Sequence, residues 1–241
     1  MLQYNVCMKN KHVKNPFEDE HNAQEWIRAI ETINTRPGNV RVTEVYPFLK
    51  DWVQEVQPKV IVEIGSGQGT CSDKLGEFKG RYIGVEPSKY LLQRARKLYG
   101  DKSNREFLTG DAYAIPLTNS VADAVFSVCV WFHLEDLGKA AQEMARILKP
   151  DGTFVIITGN PNSYHLWRSF FKDLEERDNK LIGTIDLDGG TIHNIILMHT
   201  YKELIHSFKS AGLAVDSEVD MGYAKEHKDQ GIFITIKGRK K

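Results

Sequence analysis

The segment Glu63-Ile64-Gly65-Ser66-Gly67-Gln68-Gly69 places glycines at alternate positions directly after a β-branched run, Val60-Ile61-Val62. Glycines at a strand-to-helix turn let the backbone approach a ligand with no Cβ in the way. Spacing narrows the ligand. A dinucleotide loop wants its third glycine at position 70, which is Thr70, and the G-K-S/T of a phosphate loop is absent. What remains is G-x-G-x-G, either a cradle for a nucleoside-bearing ligand or a tight turn that needs small residues. Glu86 ends the next apolar run, Tyr82-Ile83-Gly84-Val85. A carboxylate there can accept from both hydroxyls of a ribose, or it can be a helix-capping or surface acid. Asp111, in Gly110-Asp111-Ala112 beyond a further run, suits an adenine exocyclic amine as well as an ordinary turn. Each signal is weak alone. Together, at successive strand ends, they point to one crevice, because open α/β sheets bind ligands outside the carboxyl ends of their strands.

The elements that must position these residues alternate. Short β-branched or apolar runs at 60–64, 82–85, 106–109, 122–128 and 153–158 read as buried strands. Helical patterns lie between them at 70–78, 88–99 and 137–148. Strict alternation implies a mainly parallel sheet covered on both faces. A polar lead over 1–15 and two helices, 16–33 and 42–56, come first, separated by the breaker Arg36-Pro37-Gly38-Asn39. Residues 160–200 interrupt the rhythm, with a helix over 163–176 and a hairpin of 181–187 and 191–197 around Asp188-Gly189-Gly190. A helix over 201–211, stopped by Gly212, then leads to strands 213–220 and 231–237, which must run antiparallel. The expected fold is a Rossmann-like, seven-stranded, mostly parallel sheet with an antiparallel last strand and helices on both faces. The division reads as a single domain, 1–241, with a helical cap (1–57), a cofactor-binding core (58–158), an inserted helix–hairpin lid (159–200) and the end of the core (201–241).

Composition sets the class. The chain has 241 residues, 41% of them hydrophobic, as an ordinary globular chain does. No stretch approaches the roughly 18 apolar residues needed to span a bilayer, and Met1-Leu2-Gln3-Tyr4-Asn5 does not open as a signal peptide. Cys7, Cys71 and Cys129 show neither metal-ligand spacing nor a disulfide framework, so no metal is expected and a cytoplasmic location is. The 32 Lys+Arg balance 32 Asp+Glu, which argues against a nucleic-acid partner. The basic end Lys237-Gly238-Arg239-Lys240-Lys241 reads as a solvated terminus.

Residues 58–158 resemble the class I S-adenosylmethionine-dependent methyltransferases, in the type 11 group that includes ubiquinone-biosynthesis enzymes. The resemblance is carried by Val62–Gly69, Gly84-Val85-Glu86-Pro87-Ser88, Gly110-Asp111-Ala112 with Ile115-Pro116-Leu117, Ala122–Ser127 and Ala145–Gly152. It weakens over 201–237. It implies S-adenosyl-L-methionine as cofactor and methyl transfer by direct in-line displacement to an acceptor, expected to be a small molecule. It also implies roles. Glu63 and the backbone of Gly65, Ser66, Gly67 and Gly69 hold the amino-acid part of the cofactor. Glu86 takes the ribose and Pro87 packs beside the adenine, while Asp111 and Ala112 take the adenine edge and Cys129 and Val130 flank the methyl donor. The family's His-His after the fourth strand is replaced here by Val130-Trp131-Phe132-His133-Leu134. His133 therefore stands between two roles, a general base facing the acceptor and a scaffold hydrogen bond.

Trp26, Tyr46, Tyr164, Trp167 and His193 are expected either in a lid over the acceptor or in packing of the added helices on the core. Arg41 reads as a ligand for the cofactor carboxylate or as a surface charge. Asn160-Pro161-Asn162-Ser163-Tyr164 follows the fifth strand and reads as a turn, not as the Asn-Pro-Pro-Tyr motif of amino-methylating enzymes, which follows the fourth. Lys172-Asp173-Leu174-Glu175-Glu176-Arg177 reads as a solvated helix face. Besides a small-molecule enzyme, the sequence allows a protein or RNA methyltransferase, and a non-catalytic cofactor-binding sensor or partner subunit.

Overall fold

In the computed structural model, which describes residues 15–187, 189–224 and 227–241, the chain builds two sheets. Cys7, the start of the polar lead and Asp188 of the hairpin lie outside the described residues. The chain enters through a 3-10 turn, Pro16–Glu18, and helix α1, Glu20–Thr35, whose N-cap is the Asp19 carboxylate. A π turn, Arg41–Val45, runs into α2, Tyr46–Val56. Alternation then begins with β1 (Val60–Ile64), α3 (Thr70–Lys74), β2 (Arg81–Glu86), α4 (Lys89–Tyr99), β3 (Arg105–Thr109) and β4 (Ala122–Val128). It continues through α5 (Leu137–Ile147) and β5 (Leu148–Gly159). Next come α6 (Tyr164–Ser169), β6 (Glu175–Arg177), β7 (Lys180–Leu187) and β8 (Gly190–Leu197). The chain closes with α7 (Tyr201–Ser210), β9 (Leu213–Ala224) and β10 (His227–Lys240).

The main sheet has seven strands in the order β3-β2-β1-β4-β5-β10-β9. All neighbours pair in parallel except β10, which runs antiparallel to both β5 and β9. Strand order reverses between β1 and β4, so their carboxyl ends splay apart and open the crevice that such a switch point creates. Side-chain alternation divides β4. Phe126 and Val128 join one buried apolar cluster with Trp52 and Tyr82, while Val125 joins the other with Met144, Phe154 and Phe208. Both faces are thus dry, which is why the central strands read as unbroken apolar runs. No helix among the described residues is long and apolar enough to cross a membrane.

Several expected boundaries move. The helix expected over 70–78 ends at Lys74, because the chain turns at Gly76 with φ +76°. The helix expected over 163–176 stops at Ser169. Phe171 bridges Ile185, the Lys172 N–H donates to the Thr184 carbonyl at 2.8 Å, and Glu175–Arg177 becomes the exposed strand β6. Pairing with β7 overrides a helix-forming composition. The insertion is therefore a short helix and a three-stranded antiparallel sheet, β6-β7-β8, rather than a helix and a hairpin. Residues 160–164 form the expected turn, with the Asn160 carboxamide capping it.

Among the described residues the outer edge of β8 carries no further strand, and side chains take its place. The Thr191 N–H donates to the Glu25 carboxylate at 3.2 Å. The Asn22 amide grips His193 from both sides, accepting from its N–H at 2.7 Å and donating to its carbonyl at 3.0 Å. His133 Nδ1 donates to the Ile195 carbonyl at 2.6 Å. Helix α1 is thereby tied to the small sheet, and Ser88 Oγ ties the preceding turn to α4 by donating to the Phe17 carbonyl.

Candidate active site

A cavity of about 830 Å³ lies at the carboxyl ends of β1, β2 and β4, between the main sheet and a roof made of α1 and the small sheet. Its volume is within the range of roughly 300–1,000 Å³ usual for small-molecule sites. Of the residues expected in the site, Gly65, Gly67, Glu86, Pro87, Asp111, Ala112, Cys129, Val130 and His133 all line it. Glu63 and Ser66 line a smaller adjoining recess, shared with Gly65, Gly67 and Arg41.

The glycine loop divides by geometry. Gly65 (φ +72°) lies so close to Val130 that a Cβ would stand 2.3 Å from its Cγ2. Gly67 (φ +54°) has nothing within 4 Å of such a Cβ, so its backbone faces open space. Gly69 reaches neither cavity. It starts α3 with φ +80°, and a Cβ would meet the Phe107 ring at 2.9 Å. Packing of the loop on the core at Phe107 accounts for a glycine at this place in the motif.

Glu86 is 4% exposed and spans the loop ends: one carboxylate oxygen accepts from the Gly67 N–H at 2.8 Å, the other from the Ser88 N–H at 2.9 Å. Burial pushes its pKa up to about 7, against the pull of those two bonds. Glu63 is 2% exposed and accepts from the Tyr82 hydroxyl. Burial takes it up to about 8, opposed by hydrogen bonds from Tyr82 and Cys71 and by the charge of Arg41. Arg41 is not a surface charge. Its guanidinium lies 5.7 Å from the centre of the Trp26 ring, and it borders both the cavity and the recess. Ser66 Oγ and Gln68 Oε1, buried at that recess, have no hydrogen-bond partner. Asp111 is exposed at the cavity rim, and its Oδ1 accepts from the Tyr113 and Ala114 N–H groups at 2.7 and 2.9 Å. It is a turn-former with its other oxygen uncommitted among the described residues. Cys129 holds a left-handed backbone, φ +58°, where β4 enters the cavity wall.

His133 follows in a 3-10 turn, Trp131–His133. The Ile195 carbonyl can only accept, so Nδ1 carries the proton and Nε2 keeps its lone pair. Burial lowers this imidazole to about 4, so it is neutral at physiological pH.

The aromatic residues expected in a lid separate into two groups. Trp26 and Trp167 line the cavity. Tyr46 is buried behind it and donates to Asn34, Tyr164 donates to the His199 carbonyl, and His193 contributes backbone to the β8 edge. Sequence reasoning missed Asn194, 6% exposed and facing the cavity from β8. The signal was available: an amide between Ile192 and Ile196 on the inward face of a strand.

The family model described as a methyltransferase domain matches residues 62–156. An uncharacterized methyltransferase of Bacillus subtilis is 28% identical over 99 residues, covering 40% of this chain and 39% of that protein. A ubiquinone biosynthesis O-methyltransferase of Bradyrhizobium diazoefficiens is 32% identical over 115 residues, covering 46% of this chain and 42% of that one. The matches span well under two thirds of the curated relatives' own length. Among solved structures, the PH0226 protein of Pyrococcus horikoshii superposes with a TM-score of 0.66 at 18% identity, over 95% of this chain and 97% of that one. An S-adenosylmethionine-dependent methyltransferase of Clostridium acetobutylicum gives 0.66 at 15% identity, over 81% and 90%. At these identities the superpositions speak for the fold. The sequence matches over the core, with residues 62–156 fitting the methyltransferase-domain model, identify that core as similar to the class I S-adenosylmethionine-dependent methyltransferases of the type 11 group.

Proposed function

We propose that this chain binds S-adenosylmethionine in the cavity and transfers its methyl group to a small-molecule acceptor under the roof. The observation that supports this most is the convergence of the glycine loop, Glu86, Asp111 and the Cys129–His133 segment on one cavity. The residues suit the cofactor chemically. Glu86 accepts from the ribose hydroxyls, Pro87 and Ala112 flank the adenine, and Asp111 takes its amine. Glu63 and Arg41 supply opposite charges for the ammonium and carboxylate of the amino-acid end. The unpartnered Ser66 Oγ and Gln68 Oε1 fit the same end. Cys129 and Val130 border the reacting centre.

The bound cofactor supplies an activated sulfonium methyl, so the protein's task is mainly alignment and exclusion of water. The roof of α1 and the small sheet serves the second. His133 serves the first, and its Nε2 lone pair is oriented to take the proton released by the acceptor atom. The largely apolar cavity under the roof and the balanced charge favour a small molecule over RNA.

Isothermal titration with S-adenosylmethionine and S-adenosylhomocysteine tests the reading. One site per chain, lost in Glu86→Ala, is expected, followed by labelled-methyl transfer to a component of a metabolite extract. Absence of binding by the folded wild-type chain would refute it.

A further inference from the structure

The backbone of one residue, Ile195, orients two polar side chains beside an otherwise apolar wall. The wall contributed by α6, β7, β8 and β10 presents Trp167, Ile185, Leu187, Ile192, Ile232 and Phe233 to the cavity. Asn194 is its one polar side chain among the described residues, and no charged group interrupts it. The Ile195 N–H donates to Asn194 Oδ1 at 2.9 Å, and the Ile195 carbonyl accepts from His133 Nδ1 at 2.6 Å. An N–H can only donate and a carbonyl can only accept, so both side-chain orientations follow from chemistry. Asn194 is left with its Nδ2 donors, and His133 with its Nε2 acceptor. Among the described residues the side-chain hydrogen bonds of this pair are the two to Ile195, and both residues line the cavity. A buried amide facing hydrocarbon is costly unless a ligand satisfies it.

We infer that Asn194 and His133 form a donor–acceptor pair that selects the acceptor: an uncharged, largely apolar molecule carrying a hydroxyl beside a second, hydrogen-bond-accepting oxygen, as in a hydroxy-carbonyl or hydroxy-ester. The hydroxyl donates to His133 Nε2. The neighbouring oxygen accepts from Asn194 Nδ2. The ring or chain lies against Trp167, Ile192 and Phe233. A cationic amine finds no carboxylate on this wall, and a polar sugar or peptide finds too few partners. The inference rests on the methyl-transfer reading above and specifies the substrate class of that site. Asn194 thereby becomes a specificity-determining residue.

The test is equilibrium binding to chain saturated with S-adenosylhomocysteine, followed by naphthalene fluorescence. The probes are methyl 3-hydroxy-2-naphthoate, methyl 2-naphthoate (no hydroxyl) and 2-naphthol (no second oxygen). In the wild type the hydroxy-ester binds about tenfold tighter than either probe that carries only one of the two groups. Asn194→Asp keeps the bond to the Ile195 N–H but removes the donors, and abolishes the preference over 2-naphthol. His133→Phe abolishes the preference over methyl 2-naphthoate. Both variants retain S-adenosylhomocysteine binding and cooperative unfolding. If Asn194→Asp fails to fold, Asn194→Ser takes its place. Equal binding of the three probes by the wild type, or preferences that survive both substitutions, would overturn the inference while leaving the cofactor site intact. Failure of the wild type to bind S-adenosylhomocysteine would instead overturn the reading on which it rests.

Discussion

Cofactor binding should be steeply pH-dependent, and the two buried carboxylates set the slope. Glu86 titrates near 7 and Glu63 near 8 in the free chain, both raised mainly by burial. The groups facing Glu86 are the Gly67 and Ser88 N–H groups; those around Glu63 are Tyr82, Cys71, Arg41 and, more weakly, Glu86 itself. A ligand that carries a fixed sulfonium charge and donates to Glu86 binds the ionised form. Ionisation of Glu86 alone then makes affinity about tenfold weaker at pH 6 than at pH 8. If Glu63 must also ionise, it contributes roughly a further fiftyfold over the same interval. Calorimetry with S-adenosylmethionine at pH 6, 7 and 8, in buffers of different ionisation enthalpy, reads both the affinity and the protons released. Glu86→Gln should bind more weakly and lose the step near 7. An affinity constant within twofold across the range, or a Gln variant with the full slope, would refute the reasoning. Stability gives an independent check. A carboxylate raised in the folded state stabilises below its ordinary range, and that contribution is lost as pH rises through 7 and 8. His133 has the opposite sign: its contribution is present above its ordinary value of 6.5 and lost as pH falls through about 4. Above about pH 6.5, where His133 no longer opposes them, the thermal midpoint of the free chain should therefore decline until about pH 8 and then level, while the increment from added cofactor grows.

Gly65→Ala adds a methyl that overlaps Val130 in a left-handed backbone, and should cost roughly 2–5 kcal/mol in urea unfolding. Gly67→Ala, with open space around it, should cost only about 1–2 kcal/mol; equal costs would contradict the assigned geometry. Asn22→Leu removes both bonds to His193 and one to the Pro16 carbonyl, and should destabilise by about 2–4 kcal/mol. Limited proteolysis should then begin at the junction of α1 with the small sheet. A loss below about 0.5 kcal/mol would show that this amide does not hold the roof.

The main sheet was legible because its central strands are buried on both faces, so Val60–Ile64 and Ala122–Val128 appear as apolar runs bounded by turn residues. The crevice was legible for a related reason: Gly65, Glu86 and Asp111 end or follow strands that alternate with helices. Residues 170–177 were misread because nothing local announces that Phe171 and Lys172 will pair with β7. The acceptor wall was hidden by distance along the chain. Asn22 meets His193 across 171 positions, and Asn194 acquires meaning only once His133 reaches the neighbouring carbonyl. Gly69 shows the converse, a motif glycine whose constraint is the Phe107 ring rather than a ligand.

The side-chain cover on β8 has a consequence for assembly. Without α1, the peptide groups of Thr191 and His193 would present a bare ladder on an alternating, isoleucine-rich strand. Such an edge recruits any strand it meets, including β8 of another molecule. Glu25 and Asn22 come from a helix, which satisfies the ladder but cannot extend it. The N-terminal helix thus leaves the peptide groups of Thr191 and His193 that it bonds closed to a second strand.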